Sequence, residues 1–152
     1  MNFGRLLDNA CFSPSLQGST KEAIIREMVE LMVGAGHVSD REAAVQAILE
    51  REKKMSTGMQ HGVAMPHGKT DSVPNLILAI ALKKDGVDFQ SLDEEPSKIF
   101  VMTLFPAKQA SVHLRVLAEI GRVLNDPAVR QGLVQAQTLE QVKGILLGTK
   151  AG

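Results

Sequence analysis

Tryptophan and tyrosine are absent from this chain, and cysteine occurs once. With five Phe as its only aromatic side chains besides His, the chain has little with which to stack on bases. The lone Cys11 excludes an intrachain disulfide framework and fits a reducing compartment. An excess of one charge is also missing. The 17 basic residues balance 17 acidic ones, and no run of Lys and Arg is long enough to make a patch. No global field therefore draws the chain to nucleic acid or to an anionic membrane. The longest apolar run, Leu76 to Leu82, is far too short to span a bilayer. The opening Met1-Asn2-Phe3-Gly4-Arg5 leads into mixed residues and does not read as a signal peptide. These absences predict a cytoplasmic protein with neither nucleic acid nor membrane insertion. Several motifs are missing as well: the phosphate-cradling GxxxxGK and GxGxxG, the hydrolase GxSxG, and the metal-binding HExxH.

The 44% hydrophobic content supplies a core, and 152 residues suit one domain, read here as 1–152. No repeat, low-complexity tract or linker divides it. Ser19-Thr20-Lys21-Glu22 fits a capping box, after which Ile24, Ile25, Met28, Val29 and Met32 recur at helical spacing until Gly34 and Gly36. A second box, Ser39-Asp40-Arg41-Glu42, opens a helix with Ala44, Val45, Ile48 and Leu49 on its apolar face, running to about Lys54. The two make an αα-hairpin. The period then changes. Leu76 to Leu82 and Ile99 to Phe105 read as strands buried on both faces. Asp85-Gly86 predicts a turn into a short returning strand, Val87-Asp88-Phe89. Val63-Ala64-Met65 is too short to assign from pattern, and Pro66 would stop it at a strand end.

Helices return from about Ser111, with Leu114, Leu117, Ala118, Gly121 and Leu124 predicted on the inner face. Asp126-Pro127 starts a short helix, and Thr138-Leu139-Glu140-Gln141 starts the last, which Gly148 closes. The predicted fold is α/β: a small mixed β-sheet flanked by helices on both faces.

Three residues stand out for chemistry. His67 sits between Pro66, which fixes the backbone, and Gly68, which admits a close approach. This presents an imidazole at a strand end, outside a ladder, with Lys69 two residues on. A phosphoryl-accepting nucleophile needs a neutral ring nitrogen and nearby donors, which this arrangement can offer. The same features also fit a surface histidine in a turn. His113 flanks the apolar stripe of its helix. It reads either as a partly buried structural residue or as a second imidazole for His67. Arg51, between Glu50 and Glu52, reads as a surface ion pair or as a guanidinium clamp for a phosphoryl group. His61, His67 and His113 could supply three nitrogens to a metal, but nothing in their spacing makes them converge, and no metal is assigned. His37, in the Gly36-His37-Val38 loop, is expected to be solvated.

The segment "REKKMSTGMQHGVAMPHGK", Arg51 to Lys69, resembles the signature of the enzyme IIA domains of the fructose/mannitol class of the bacterial sugar phosphotransferase system. That class includes stand-alone nitrogen-regulatory IIA proteins. "GSTKEAIIREMVELMVGAGHVSDREAAVQAILERE" resembles its N-terminal helical pair, "GVDFQSLDEEPSKIFVMTLFP" its strand-loop-strand, and "HLRVLAEIGRVLND" the helix with its second histidine. The resemblance implies a phosphoryl carrier without cofactor or metal. His67 would accept a phosphoryl group from HPr or a nitrogen-branch paralogue of HPr. It would pass the group to a cysteine of an EIIB domain, or hold it as a signal to a regulatory protein. His113 would be the supporting imidazole, and Arg51 a positive charge near the phosphoryl or the partner. Two departures stand out: His61 where the family commonly has Asn or another small polar residue, and Ser97 where it has an aliphatic one.

Overall fold

The computed structural model describes residues 3–148. Its elements are α1 (Phe3–Asp8), β1 (Cys11–Ser13), α2 (Lys21–Gly34), α3 (Arg41–Lys54), β2 (Val63–Ala64) and β3 (His67–Lys69). They continue with β4 (Ile77–Val87), β5 (Ser97–Phe105), α4 (Ala110–Leu124), α5 (Pro127–Val134) and α6 (Leu139–Gly148). Among the described residues no helix is long and apolar enough to cross a membrane.

The sheet follows the order β1-β4-β5, with β2 and β3 both paired to the far side of β5. Its centre is the antiparallel β4–β5 pair, in register from Ile77 opposite Leu104 to Leu82 opposite Ile99; β1, β2 and β3 join in parallel. The sheet is therefore mixed, as expected. Successive side chains of a strand point to opposite faces, and here both faces are covered. Leu78, Ile80, Leu82, Ile99 and Val101 pack with Ile120, Leu133 and Leu146 of α4, α5 and α6. Ala79, Ala81, Phe100, Met102 and Leu104 pack with Ile24, Met28, Val45 and Ile48 of α2 and α3. Burial on both faces is why the two central strands read as unbroken apolar runs. Each large aliphatic side chain so buried contributes roughly 1.5–3 kcal/mol.

Four local expectations change. The caps fall one residue later than the boxes suggested. Thr20 accepts the Ala23 N–H and Asp40 the Ala43 N–H, so Ser19 and Ser39 lie outside their helices. Asp85-Gly86 does not reverse the chain. β4 runs on to Val87, which pairs with Ser97 across an irregularity, and Gly86 takes the left-handed φ of 78° that this bulge needs. The reversal comes later, around Gln90 and Glu94, both at positive φ. On α4 the buried face is His113, Val116, Ile120 and Val123 with Leu124, while Leu114 is 68% exposed. Both sets of positions satisfy the helical period. The branched side chains settle against the sheet, and the face bearing Leu114 is turned outward. Finally, α1 and β1 were not anticipated, being too short to carry a periodic signal.

Candidate functional site

The site lies on the β3 edge of the sheet. Val63 pairs with Ile99 and Ala64 with Phe100, and His67 then pairs with Thr103 in the same frame. The segment from Val63 to Lys69 is thus one edge track along β5, interrupted by Met65 and Pro66. Proline is tolerated there because an outer strand has one side without a ladder. Its carbonyl still works, accepting the Thr103 N–H at 3.1 Å. His67 is therefore the first ladder residue of β3, which corrects its expected place outside a ladder. Gly68 follows because α3 lies directly behind. A Cβ there would come within 3.0 Å of Ala47 C, Ile48 N and Ile48 Cγ1.

The loop before the strand is held from beneath by a buried charge. Glu52, near the end of α3, has a side chain only 4% exposed and is paired with Lys21 Nζ at 2.9 Å. The same carboxylate accepts the Thr57 N–H at 3.2 Å and the Thr57 hydroxyl. The Thr57 carbonyl in turn accepts the Met65 N–H at 3.1 Å. Lys21 also stands 4.8 Å from the centre of the Phe89 ring. This chain of bonds, from Lys21 through Glu52 and Thr57, sets the position of Met65.

Met65 matters because its carbonyl lies 3.1 Å from His67 Nδ1. A carbonyl can only accept, so Nδ1 carries the proton, and Nε2 of the neutral ring keeps its lone pair. Burial pushes the His67 imidazole below its ordinary pKa; the Met65 bond opposes this, the Arg51 charge adds to it, and the Glu52 charge opposes it. The neutral ring is the nucleophilic one.

His113 comes down from α4 onto the same ring. The two imidazole centroids are 4.9 Å apart and tilted by 44°. Phe105 stacks on His113 at 3.9 Å with 14° between planes, and Thr103 Oγ1 lies 3.0 Å from His113 Nε2. His113 is 4% exposed, and burial first, then the His67 charge, push its pKa down to about 4. At neutral pH the pair is uncharged.

Around the imidazoles opens a cavity of about 520 Å³, lined among others by Arg51, Lys54, His67, Lys69, His113 and Leu114. Glu50 and Glu52 flank Arg51 in sequence but bond to Lys53 and Lys21 instead. Arg51 is fixed by its own Nη1, which donates to Met55 O at 2.8 Å. Among the described residues no carboxylate stands within ion-pair distance of Arg51, Lys54 or Lys69. The cavity thus joins a neutral nucleophilic nitrogen to three cationic side chains and one carboxylate, Glu50, which is paired with Lys53; the cationic excess is able to take up a dianionic group.

His67, His113 and Arg51 are brought together; His61 is not. It sits at φ 64° in the turn before β2, where its N–H donates to Asp93 Oδ2 at 3.0 Å. It lines a separate cavity of about 140 Å³ with Met59, Val63 and Leu92. Among the described residues no three His, Cys, Asp or Glu side chains gather as a metal would require. His37 is half-buried between α2 and α3, its N–H bonded to Met32 O, not fully solvated as expected. Ser97, fully buried, meets Ser91 Oγ at 3.0 Å, so its hydroxyl is not left unpaired. Sequence reasoning missed Thr103 and Glu52. Thr103 had a signal: it is the one polar residue in the stretch Ile99 to Phe105, and a buried hydroxyl needs a partner.

Comparison with known proteins places the chain in a family. Residues 5–148 match the family described as the phosphoenolpyruvate-dependent sugar phosphotransferase system, EIIA 2. The chain is 39% identical over 128 residues to a PTS system fructose-specific EIIA component of Haloferax volcanii, covering 84% of this chain and 83% of that one. It is 27% identical over 133 residues to a nitrogen regulatory protein of Bradyrhizobium diazoefficiens, covering 88% and 86%. Its fold is shared with the Escherichia coli enzyme IIA of mannitol, solved in complex with phosphorylated enzyme IIB. The TM-score is 0.77 at 23% identity, over 97% of each chain. The chain belongs to the EIIA 2 family of the phosphoenolpyruvate-dependent sugar phosphotransferase system.

Proposed function

We propose that the chain is a phosphoryl carrier in which His67 Nε2 receives the phosphoryl group. The observation that carries this is the His67 ring itself: proton held at Nδ1 by Met65 O, lone pair free at Nε2, in a cavity with three cations. The donor is a phosphohistidine of HPr or of a nitrogen-branch paralogue. The N–P bond of the donor breaks as the bond from His67 Nε2 to phosphorus forms, and the donor imidazole leaves with the electron pair. The donor ring enters protonated at its other nitrogen and leaves neutral, while His67, its Nδ1–H still held by Met65 O, ends as the phosphorylated imidazolium, so the positive charge passes from ring to ring and no proton need move. Positioning and charge neutralisation carry the step. Arg51 supplies charge near the incoming oxygens, and His113 supports the phosphorylated ring. The acceptor is the thiolate of an EIIB cysteine, in line with the partner in the mannitol complex. A regulatory role, with the phosphorylated state read by a partner protein, is favoured by the similarity to the nitrogen regulatory relative at nearly full length.

The test is incubation with enzyme I, HPr and phosphoenolpyruvate, and in parallel with nitrogen-branch donors, followed by intact mass at alkaline pH. An acid-labile phosphoryl adduct is expected in the wild type and absent in His67→Ala. No adduct with either donor set, or an adduct that survives the substitution, overturns the assignment. His113→Gln is expected to slow transfer.

A further inference from the structure

Resting on the reading that His67 carries the phosphoryl group, we propose that Thr103 is a positioning residue for it. The Thr103 hydroxyl donates to His113 Nε2, fixes the Nδ1–H tautomer, and makes His113 a hydrogen-bond donor toward the phosphoryl oxygens.

Thr103 touches both arms of the site. Its main-chain N–H holds the Pro66 carbonyl and it stands in register opposite His67, while its hydroxyl meets the ring of His113. It is 1% exposed, so water does not compete for that hydroxyl. The direction of the bond follows from what else is available. Were Nε2–H the donor, the hydroxyl's own hydrogen would need a second acceptor. Among the described residues Oγ1 meets no partner but His113. A buried donor left unmade is costly, so the hydroxyl gives its hydrogen to Nε2. The ring proton of neutral His113 must then reside at Nδ1.

Each ring nitrogen serves one hydrogen bond in its plane. With Nε2 taken, only Nδ1 remains for a group on His67, whose ring lies 4.9 Å away. Phe105, stacked on the imidazole at 3.9 Å, holds the plane of His113 in place. The opposite tautomer would turn a lone pair toward a dianion and repel it. Thr103 thereby acts on the phosphoryl group through His113, as outer groups set the tautomer of ligating histidines elsewhere.

The experiment compares wild type, Thr103→Val and Thr103→Ser. Valine keeps the shape and the strand pairing and removes only the hydroxyl; serine keeps the hydroxyl. Nitrogen-15 spectra of the unphosphorylated proteins near neutral pH read the tautomer. His113 should show a pyrrole-type Nδ1 and a pyridine-type Nε2 in wild type and Thr103→Ser, and a mixture in Thr103→Val. The initial rate of phosphoryl uptake from phosphorylated HPr should fall about ten-fold in Thr103→Val and stay within about three-fold of wild type in Thr103→Ser. A wild-type His113 with its proton on Nε2 overturns the proposal, as does Thr103→Val with unchanged tautomer and rate. Should valine unfold the protein, the wild-type and serine spectra decide. A chain with the stated tautomer that never takes up phosphoryl overturns the carrier reading instead.

Discussion

Replacing His113 by Gln should flatten the dependence of folding stability on pH in mildly acid solution. In an unfolded chain a histidine titrates near its ordinary value of 6.5, whereas in the fold burial and the His67 charge push His113 down to about 4. Between those values the unfolded chain binds a proton that the folded chain refuses. Acid therefore favours unfolding: stability falls as the pH drops below about 6.5, and the loss levels off below about 4. With those two values the loss from His113 is about 2 kcal/mol at pH 5 and close to nothing at pH 7.5. His67, also lowered by burial, adds a loss of the same sign. Asp93, held below the usual carboxylate value first by the His61 amide, works at more acid pH and in both proteins alike. The assay is urea unfolding of wild type and His113→Gln at several pH values across this range. The variant is expected to be less stable near neutrality, having lost its stacking on Phe105, yet to lose about 2 kcal/mol less on acidification to pH 5. Parallel curves for the two proteins would refute the reasoning.

Two further substitutions probe the supports of the site. Gly68→Ala should lower stability by about 1–2 kcal/mol, because overpacking against the α3 backbone outweighs the entropy that alanine removes from the unfolded chain. Thermal unfolding should shift down by about 3–6 °C, and an unchanged midpoint would show that α3 yields freely. Lys21→Met leaves the Glu52 carboxylate buried without its cation and should cost about 2–3 kcal/mol. Urea unfolding checks this, and a loss below about 0.5 kcal/mol would mean that Thr57 alone satisfies the charge.

Much of the architecture was legible where the physics is local. The α2–α3 hairpin shows in its helical period, and β4 and β5 show as apolar runs because helices cover both faces of the sheet. The last two helices begin where Asp126-Pro127 and Thr138 place them. What escaped depends on distant partners. His67-Gly68-Lys69 has no strand propensity of its own and becomes β3 only because β5 presents Thr103, Leu104 and Phe105 beside it. The phase of α4 could not be read because two faces fit one period; packing on the sheet chooses between them. Gly86 reads as a turn, and its positive φ is real, but the nearby Pro96 and the pairing of Val87 with Ser97 use it for a bulge. Within the site, His67 was marked by its neighbours Pro66 and Gly68. That His113 meets it depends on where α4 crosses the sheet, and no spacing along the chain reveals that. The split of Arg51 from its adjacent glutamates likewise depends on Lys21, thirty-one positions from Glu52.

Pro66 has a consequence that reaches beyond catalytic geometry. Edge strands attract other strands, since each unpaired N–H and C=O invites a stranger to extend the sheet. An edge escapes this when it leaves few backbone groups free. Here the outward side of β2 is already taken by the loop before it, where Gly58 bridges Ala64 and the Met59 N–H bonds the Val63 carbonyl, and past the break only the three residues of β3 follow. The break holds a residue with no N–H to give, and its carbonyl is already spent inward on Thr103. Visitors to this edge find an imidazole and positive charge, but too few free backbone groups to zip onto. The proline ahead of His67 thereby also limits how far a foreign strand can extend the sheet.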